Sequence, residues 1–209
     1  MEKTIGVLAL QGSFNEHIEC LKKCVDEKGY NIEVLTVKTI EQLLKCDSLV
    51  IPGGESTTIS QIAERTGLYD HLYKFVRTEG KSVWGTCAGM IFLARDVRNQ
   101  ANLLKPLGAL DVAVDRNAFG RQLDSFVSDC DFSFWGTQED SFSAVFIRAP
   151  IVSEIYNNER VQVLHKVEKN GQEYIVAVRQ GKILGTSFHP ELGSDIRFHN
   201  WFIEEFVLK

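Results

Sequence analysis

No apolar run in this chain approaches the roughly 18 residues that a membrane-crossing helix needs, so no membrane partner is expected. No block of like charges stands out, and the net charge is −5, which argues against a surface that tracks phosphates and against a nucleic-acid partner. Internal repeats, low-complexity tracts and Pro/Gly-rich linkers are missing, so nothing subdivides the 209 residues and one domain over 1–209 is expected. The five cysteines follow neither disulfide nor zinc spacing. Cys20 and Cys24, four apart on an expected helix, would suit a metal pair, but no second Cys or His pair at ligand spacing accompanies them. No metal and no cofactor is expected, and the cysteines other than Cys87 read as reduced packing residues. "MEKTIGVLALQG" has an apolar run too short for a signal segment and no cleavage site, so a soluble, cytoplasmic protein is expected.

What is present is a 44% hydrophobic composition that can bury a core without staples. Strand and helix patterns alternate through the first half. "TIGVLAL" predicts a strand covered on both faces. Ser13 and Glu16 predict a capping box opening a helix with Phe14, Ile18, Leu21 and Val25 inward, which Gly29 stops. "NIEVLTV" is a second strand, Thr39 and Gln42 a second capping box before a short helix, and "SLVIP" a third strand. A helical region carries Ile59, Ile62, Leu68, Leu72 and Phe75 as far as Gly80, and "SVW" is the next strand. This order predicts an α/β fold: a doubly wound, flavodoxin-like, mostly parallel sheet with helices on both faces. In the second half "ALDVAV", "SAVFIRA", "VQVLHKV", "EYIVAVR" and "KILGTSF" predict strands of an antiparallel annex, with a hairpin turn at Asn170-Gly171. An amphipathic helix with Ile196, Trp201, Phe202 and Phe206 inward ends the pattern.

Sheets of this kind place their sites at the carboxyl ends of the strands, where "QG" (11–12), "GGES" (53–56) and "GTCAG" (85–89) converge. Gly85-x-Cys87-x-Gly89 has the form of a nucleophile elbow: a thiol on a sharp strand-to-helix turn, with small neighbours that permit close chain approach. A helix start favours a thiolate, and the Ala88 N–H is a natural oxyanion donor. The same five residues also suit a buried structural cysteine beside helix-packing glycines. His189 is the best placed base of the five histidines. It precedes Pro190, which favours an extended backbone, and there His189 and Glu191 point to the same side. Glu191 then orients the imidazole; "HPE" alone also suits a plain turn. His17, His71, His165 and His199 fit surface or helix positions more simply, with His17 close behind the first strand. Gly53-Gly54 allows close backbone approach to a ligand, with the Gly54 N–H as second oxyanion donor, although it also suits an ordinary loop. A phosphate loop is excluded, because no G-K-[ST] follows and no basic residue is near.

"GTCAG" with "HPE" resembles the Cys-His-Glu site of the class I, triad-type glutamine amidotransferases. "GVLALQGSFNEH", "IPGGESTT", "RNAFGRQLDSF", "FIRAP" and "SFHPEL" narrow the resemblance to glutaminase subunits of pyridoxal 5′-phosphate synthase, especially fungal forms. It spans nearly the whole chain and implies hydrolysis of L-glutamine to glutamate and ammonia. It also implies a protein partner, a barrel-shaped synthase subunit that receives the ammonia for vitamin B6 cofactor assembly. Residue by residue, it implies Cys87 as nucleophile, His189 as base and Glu191 as its partner. Gly53, Gly54 and Glu55 match the glutamine-contacting loop, and Arg116 with Ile147-Arg148 the remaining substrate contacts; the two arginines also suit ordinary ion pairs. Gln11-Gly12 matches a feature near the oxyanion site and partner face, with Gln11 a candidate activation element. Segment 130–145 departs from the pattern, being longer and more aromatic than bacterial forms, and is expected to alter a surface loop or partner contact. The alternatives are a glutaminase of the histidine-biosynthesis type, a C–N peptidase of the same superfamily, or a non-catalytic regulatory subunit with this fold.

Overall fold

The computed structural model describes residues 2–99, 103–116, 125–132 and 141–209. It shows the α/β fold expected above. The first half runs β1 (Lys3–Leu8), α1 (Phe14–Lys28), β2 (Ile32–Val37), α2 (Ile40–Leu44), β3 (Ser48–Ile51), α3 (Ser56–Arg65), α4 (Leu68–Phe75), β4 (Ser82–Thr86) and α5 (Ala88–Leu93). The second half contains β5 (Ala94–Arg98), β6 (Leu110–Asp115), β7 (Ser125–Asp131), β8 (Ser141–Ile147), β9 (Ile151–Ile155), β10 (Gln162–Lys169), β11 (Gln172–Gln180) and β12 (Ile183–Thr186). A 3₁₀ turn (Pro190–Leu192) and α6 (Arg197–Phe202), which continues as a π-helical turn (Ile203–Val207), follow.

The main sheet has the order β2-β1-β3-β4-β12-β11-β9-β6-β5, with β10 paired to β11. Its first five strands are mutually parallel and reproduce the flavodoxin-type order, with β12 in the fifth place. β11 then reverses direction and opens the annex. The β10–β11 hairpin turns at Asn170 and Gly171, both with positive φ (54° and 75°), as a tight hairpin of this twist requires.

Both faces of the central strands β1, β3, β4 and β12 are covered, so these strands are mostly apolar on both sides. In β3, Leu49 and Ile51 pack into one core with α2, α3, α4 and α5, while Val50 packs into the other beneath α1 and α6. Trp84 of β4 is the centre of that second core, 5.2 Å from the Phe198 ring and 5.1 Å from the Phe202 ring. No helix among the described residues is long and apolar enough to cross a membrane.

Several local expectations change. The single helical region over 56–80 is two helices, because Gly67 takes a left-handed φ of 71° between α3 and α4. α1 turns a different stripe inward: His17, Leu21 and Cys24 are fully buried, and Phe14, Ile18 and Val25 only flank them. Strands β5, β7 and β9 were not expected; β5 (ARDVR) and β7 (SFVSDCD) carry too much polar sequence to announce themselves. β7 and β8 form a separate antiparallel ribbon. Of segment 130–145, Cys130, Asp131 and residues 141–145 lie in that ribbon. Phe132 and Phe142 are buried against Phe188 and Phe198. Residues 117–124 of the "RNAFGRQLDSF" motif lie outside the described residues, as do 133–140.

The elbow after β4 depends on one close crossing. A Cβ on Gly89 would lie 1.9 Å from the Ile51 carbonyl oxygen, so α5 leaves β4 with its backbone against β3. Gly89→Ala is expected to lower the unfolding free energy by about 3 kcal/mol or more, since backbone cannot yield as a flexible side chain does. Gly29→Ala, with a φ of 67° but nothing within 4 Å, is expected to cost only about 1 kcal/mol. Urea unfolding midpoints of the two variants provide the comparison.

Candidate active site

Cys87 occupies a backbone conformation that an L residue rarely adopts, with φ 48° and ψ −104°. It is held there from both sides. Its N–H donates to the Thr186 carbonyl of β12 at 2.7 Å, and its carbonyl accepts from Ile91 N–H inside α5 at 3.1 Å. The thiol is thereby lifted to the carboxyl edge of the sheet, 4.0 Å from the Ile147 carbonyl oxygen at the end of β8. Ala88 is the first residue of α5, so its N–H has no intrahelical acceptor.

His189 faces the thiol from the end of β12, and both side chains line the same cavity. Its backbone is clamped by β8, where His189 N–H donates to the Val145 carbonyl at 2.8 Å. Its Nδ1 lies 2.8 Å from Glu191 Oε1, which leaves Nε2 for Cys87. The chain does not stay extended through "HPE" as expected: Pro190–Leu192 is a 3₁₀ turn. The proline at its first position accounts for that, and the turn still brings the carboxylate back beside the imidazole.

Burial works against charge on both groups, and their neighbours outweigh it. At His189, burial is overcome by the hydrogen bonds and charges of Cys87 and Glu191, which raise the imidazole to about 10. At Glu191, burial is overcome by His17, His189 and Ser13, which hold the carboxyl at about 2. The arrangement favours a protonated imidazole beside an ionised Glu191.

The facing wall is the loop after β3. A Cβ on Gly53 would lie 2.3 Å from His189 Cε1, and one on Gly54 2.3 Å from Gln11 Oε1, so side chains there would collide with the site. The loop is fastened to the one after β1. Gln11 Oε1 accepts from Glu55 N–H at 2.7 Å, and Ser13 N–H donates to the Gly53 carbonyl at 3.1 Å. Glu55 caps α3 through Thr57 and Thr58 N–H. Partial burial disfavours its charge, but the Thr58 and Thr57 hydrogen bonds prevail and keep its carboxyl below the usual range. Arg116 at the end of β6 approaches Glu55 at 3.3 Å.

Between these walls lies a cavity of about 340 Å³, within the range of small-molecule sites. Gly54, Glu55, Cys87, Arg116, Ile147, Arg148 and His189 all line it, together with Gln11. Gly53, Ala88 and Glu191 are not lining residues; Gly53 and Glu191 instead stand against His189. Arg148 is exposed and takes a φ of 42° directly after β8. A larger hollow of about 760 Å³ opens at the opposite strand ends, among Arg77, Lys81, Arg160 and Lys182, away from the thiol.

Four residues in contact with this group escaped the sequence reading. Ser13 was expected to cap α1, but its side chain makes no cap hydrogen bond; its hydroxyl donates to Glu191 Oε1 at 2.6 Å. His17, expected at a surface or helix position, is fully buried with Nε2 3.3 Å from Glu191 Oε2. Its ring also contacts Thr86 and His199. The signal was present in the spacing 13, 17, 21 and 24, which puts Ser13 and His17 on the same helix face as Leu21 and Cys24.

The Glu191 and His189 shifts set opposite pH limits on stability. A carboxyl lowered from 4.5 to about 2 contributes stability that is complete above pH 4.5 and lost as pH falls towards 2. An imidazole raised from 6.5 to about 10 contributes stability that is complete below pH 6.5 and lost as pH rises towards 10. The stability difference between wild type and Glu191→Gln is therefore expected to shrink as pH falls from 4.5 to 2, in urea unfolding followed across that range.

Comparison with known proteins adds the following. The model of the SNO glutamine amidotransferase family matches residues 7–208. The probable pyridoxal 5′-phosphate synthase subunit SNO3 of Saccharomyces cerevisiae is 53% identical over 100% of this chain and 98% of its own. The pyridoxal 5′-phosphate synthase subunit SNO1 of the same organism is 54% identical over 98% and 93%. The subunit PdxT of Pyrococcus furiosus is 43% identical over 97% and 98%. A crystal structure of a glutamine amidotransferase superposes with a TM-score of 0.79 at 41% identity, covering 96% of this chain and 97% of that one.

Proposed function

Because this chain belongs to the SNO glutamine amidotransferase family, we propose that it is the glutaminase of a pyridoxal 5′-phosphate synthase, with Cys87, His189 and Glu191 as its catalytic triad. It hydrolyses L-glutamine to L-glutamate and ammonia, and the ammonia feeds pyridoxal 5′-phosphate biosynthesis. The observation that carries the residue assignment is the meeting, at one cavity, of a thiol on a strained elbow and an imidazole bonded to a buried carboxylate.

In this reading Cys87 passes its proton to His189 Nε2, and the thiolate sulfur attacks the side-chain amide carbon of glutamine. The amide oxygen becomes an oxyanion held by the N–H groups of Gly54 and Ala88. As the C–N bond breaks, His189 gives its proton to the nitrogen, and ammonia leaves behind a thioester on Cys87. Water then adds to the thioester with His189 as base, and glutamate departs with the thiol restored. Glu191 keeps the imidazole aimed and stabilises it while charged. Arg116 and Arg148 offer cations, and Glu55 an anion, for the α-carboxylate and α-ammonium of glutamine. Gly53 and Ile147 complete the contact surface, and no cofactor takes part.

The ammonia is transferred to a barrel-shaped synthase subunit. The names of the yeast and Pyrococcus relatives as synthase subunits support a partner of this kind and favour it over a histidine-biosynthesis glutaminase. The intact geometry around Cys87 favours an enzyme over a regulatory subunit. Residues 1–209 act as one glutaminase domain, and five free thiols suit the reducing cytoplasm.

Cys87→Ala is expected to abolish glutamine hydrolysis, measured as ammonia release with and without the synthase subunit, while the circular dichroism spectrum stays unchanged. Full turnover by that variant would sink the assignment. Glu191→Gln is expected to lower kcat by about 10²–10⁴-fold and to remain above the Cys87→Ala background. Arg148→Ala is expected to raise KM about tenfold or more with a smaller effect on kcat, the loss of one charged hydrogen bond to substrate.

A further inference from the structure

Behind the Glu191 carboxylate stand two imidazoles for which the reaction described above has no use. His17 lies in the second turn of α1 and His199 on α6; both are fully buried, and neither lines the glutamine cavity. His17 Nε2 is 3.1 Å from Thr86 Oγ1 and 3.3 Å from Glu191 Oε2. On the other side of the ring, Nδ1 is 2.9 Å from His199 Nε2. The Trp84 ring packs edge-on against both, at 5.3 and 5.1 Å.

Burial pushes both imidazoles below the ordinary histidine value, His199 well below, so each is neutral near pH 7 and carries one ring proton. Their contact needs one donor and one acceptor. With the His17 proton on Nδ1, the lone pair of Nε2 would face the Glu191 oxygen. His199 would then carry its proton on Nδ1, an atom without a hydrogen-bond partner among the described residues. The opposite assignment strands no buried donor. His199 Nε2–H donates to His17 Nδ1, and His17 Nε2–H donates to Thr86 Oγ1 with Glu191 Oε2 beside it at 3.3 Å.

The carboxylate has a matching need. Oε1 is served by Ser13 and His189, whereas Oε2 is buried and makes no hydrogen bond among the described residues, with His17 Nε2 as its near donor at 3.3 Å. The other titratable groups around the carboxylate and His17 are Glu16 and Cys20 on α1, Cys87 at the elbow, His189 after β12 and His199 on α6. Of these, His17 alone presents an N–H to Oε2.

We propose that His17, with its tautomer set by His199, is a positioning residue for the glutaminase reaction: its Nε2–H steadies the far oxygen of Glu191, so that Glu191 stays ionised and aimed at His189. This rests on the triad reading given above. Losing the Nε2–H raises the pH at which Glu191 ionises, which weakens His189 as an imidazolium partner for the thiolate. The thiolate–imidazolium pair then forms only at higher pH.

The test uses the full chain as wild type, His17→Leu, His17→Gln and His199→Leu, with two readouts. Glutamine hydrolysis gives kcat and KM. Iodoacetamide labelling of Cys87, followed by peptide mass spectrometry against pH, needs neither glutamine nor a partner. His17→Leu is expected to lower kcat by about 10–100-fold, as loss of an orienting hydrogen bond behind a reactive group does. Its KM is expected to stay within about threefold, and the acid limb of labelling to move to higher pH. His17→Gln, whose amide nitrogen takes the place of Nε2, is expected to recover most of both, and His199→Leu to fall between.

A folded His17→Leu with wild-type kcat and an unmoved labelling profile overturns the proposal. Should His17→Leu fail to fold, a His199→Leu profile identical to wild type overturns it instead. So does ¹⁵N NMR of the wild type showing either ring protonated at Nδ1. Hydrolysis that Cys87→Ala abolishes and His17→Leu leaves intact defeats the positioning role alone. Shifted labelling with no glutamine hydrolysis by the wild type defeats the glutaminase reading alone.

Discussion

A carboxylate whose side chain is fully buried has to be given polar partners by the protein, and Glu191 collects them from separate parts of the chain. Ser13 reaches it from the start of α1, His17 from the next turn, and His189 from the end of β12. This need explains features that local rules leave unexplained. It diverts the Ser13 hydroxyl from its helix cap and puts a histidine on the innermost face of α1. It also fixes α1, and through the His17–His199 contact α6, against the same end of the sheet.

On the other side of His189 the constraint is steric. The elbow requires Cys87 in a strained conformation, which persists because neighbouring backbone leaves it no alternative. Thr186 holds its N–H and the Ile51 carbonyl lies under Gly89. Val145 of the β7–β8 ribbon grips the His189 backbone, so an aromatic segment that looked like a peripheral departure from the family pattern supports the base directly. The site is rigid where charge must be aimed and open where Arg148 and Ile147 face the cavity.

Legibility followed the range of the forces. The parallel first half was readable because strands covered on both faces must be apolar on both sides, and because Gly29 and the Thr39–Gln42 box act within a few residues of themselves. The two capping-box patterns make the contrast plain. Thr39 and Gln42 bond reciprocally as the pattern predicts. Ser13 and Glu16 carry the same pattern, yet Ser13 bonds a carboxylate 178 positions away. Strands β5 and β7 were missed for a related reason: their polar residues are tolerated by edge or ribbon positions that only pairing reveals.

By itself the sequence determined the alternation of elements, the parallel sheet whose carboxyl edge gathers the loops, and the identity of a thiol, an imidazole and a carboxylate able to meet there. Periodicity, glycine placement and side-chain chemistry are local properties, and they survive in a string of letters. Tertiary structure alone decided the strain at Cys87, the clamp from β8 and the buried pair behind Glu191. Each of these arises because two segments distant in sequence compete for one small volume, and no local preference records who the neighbour will be.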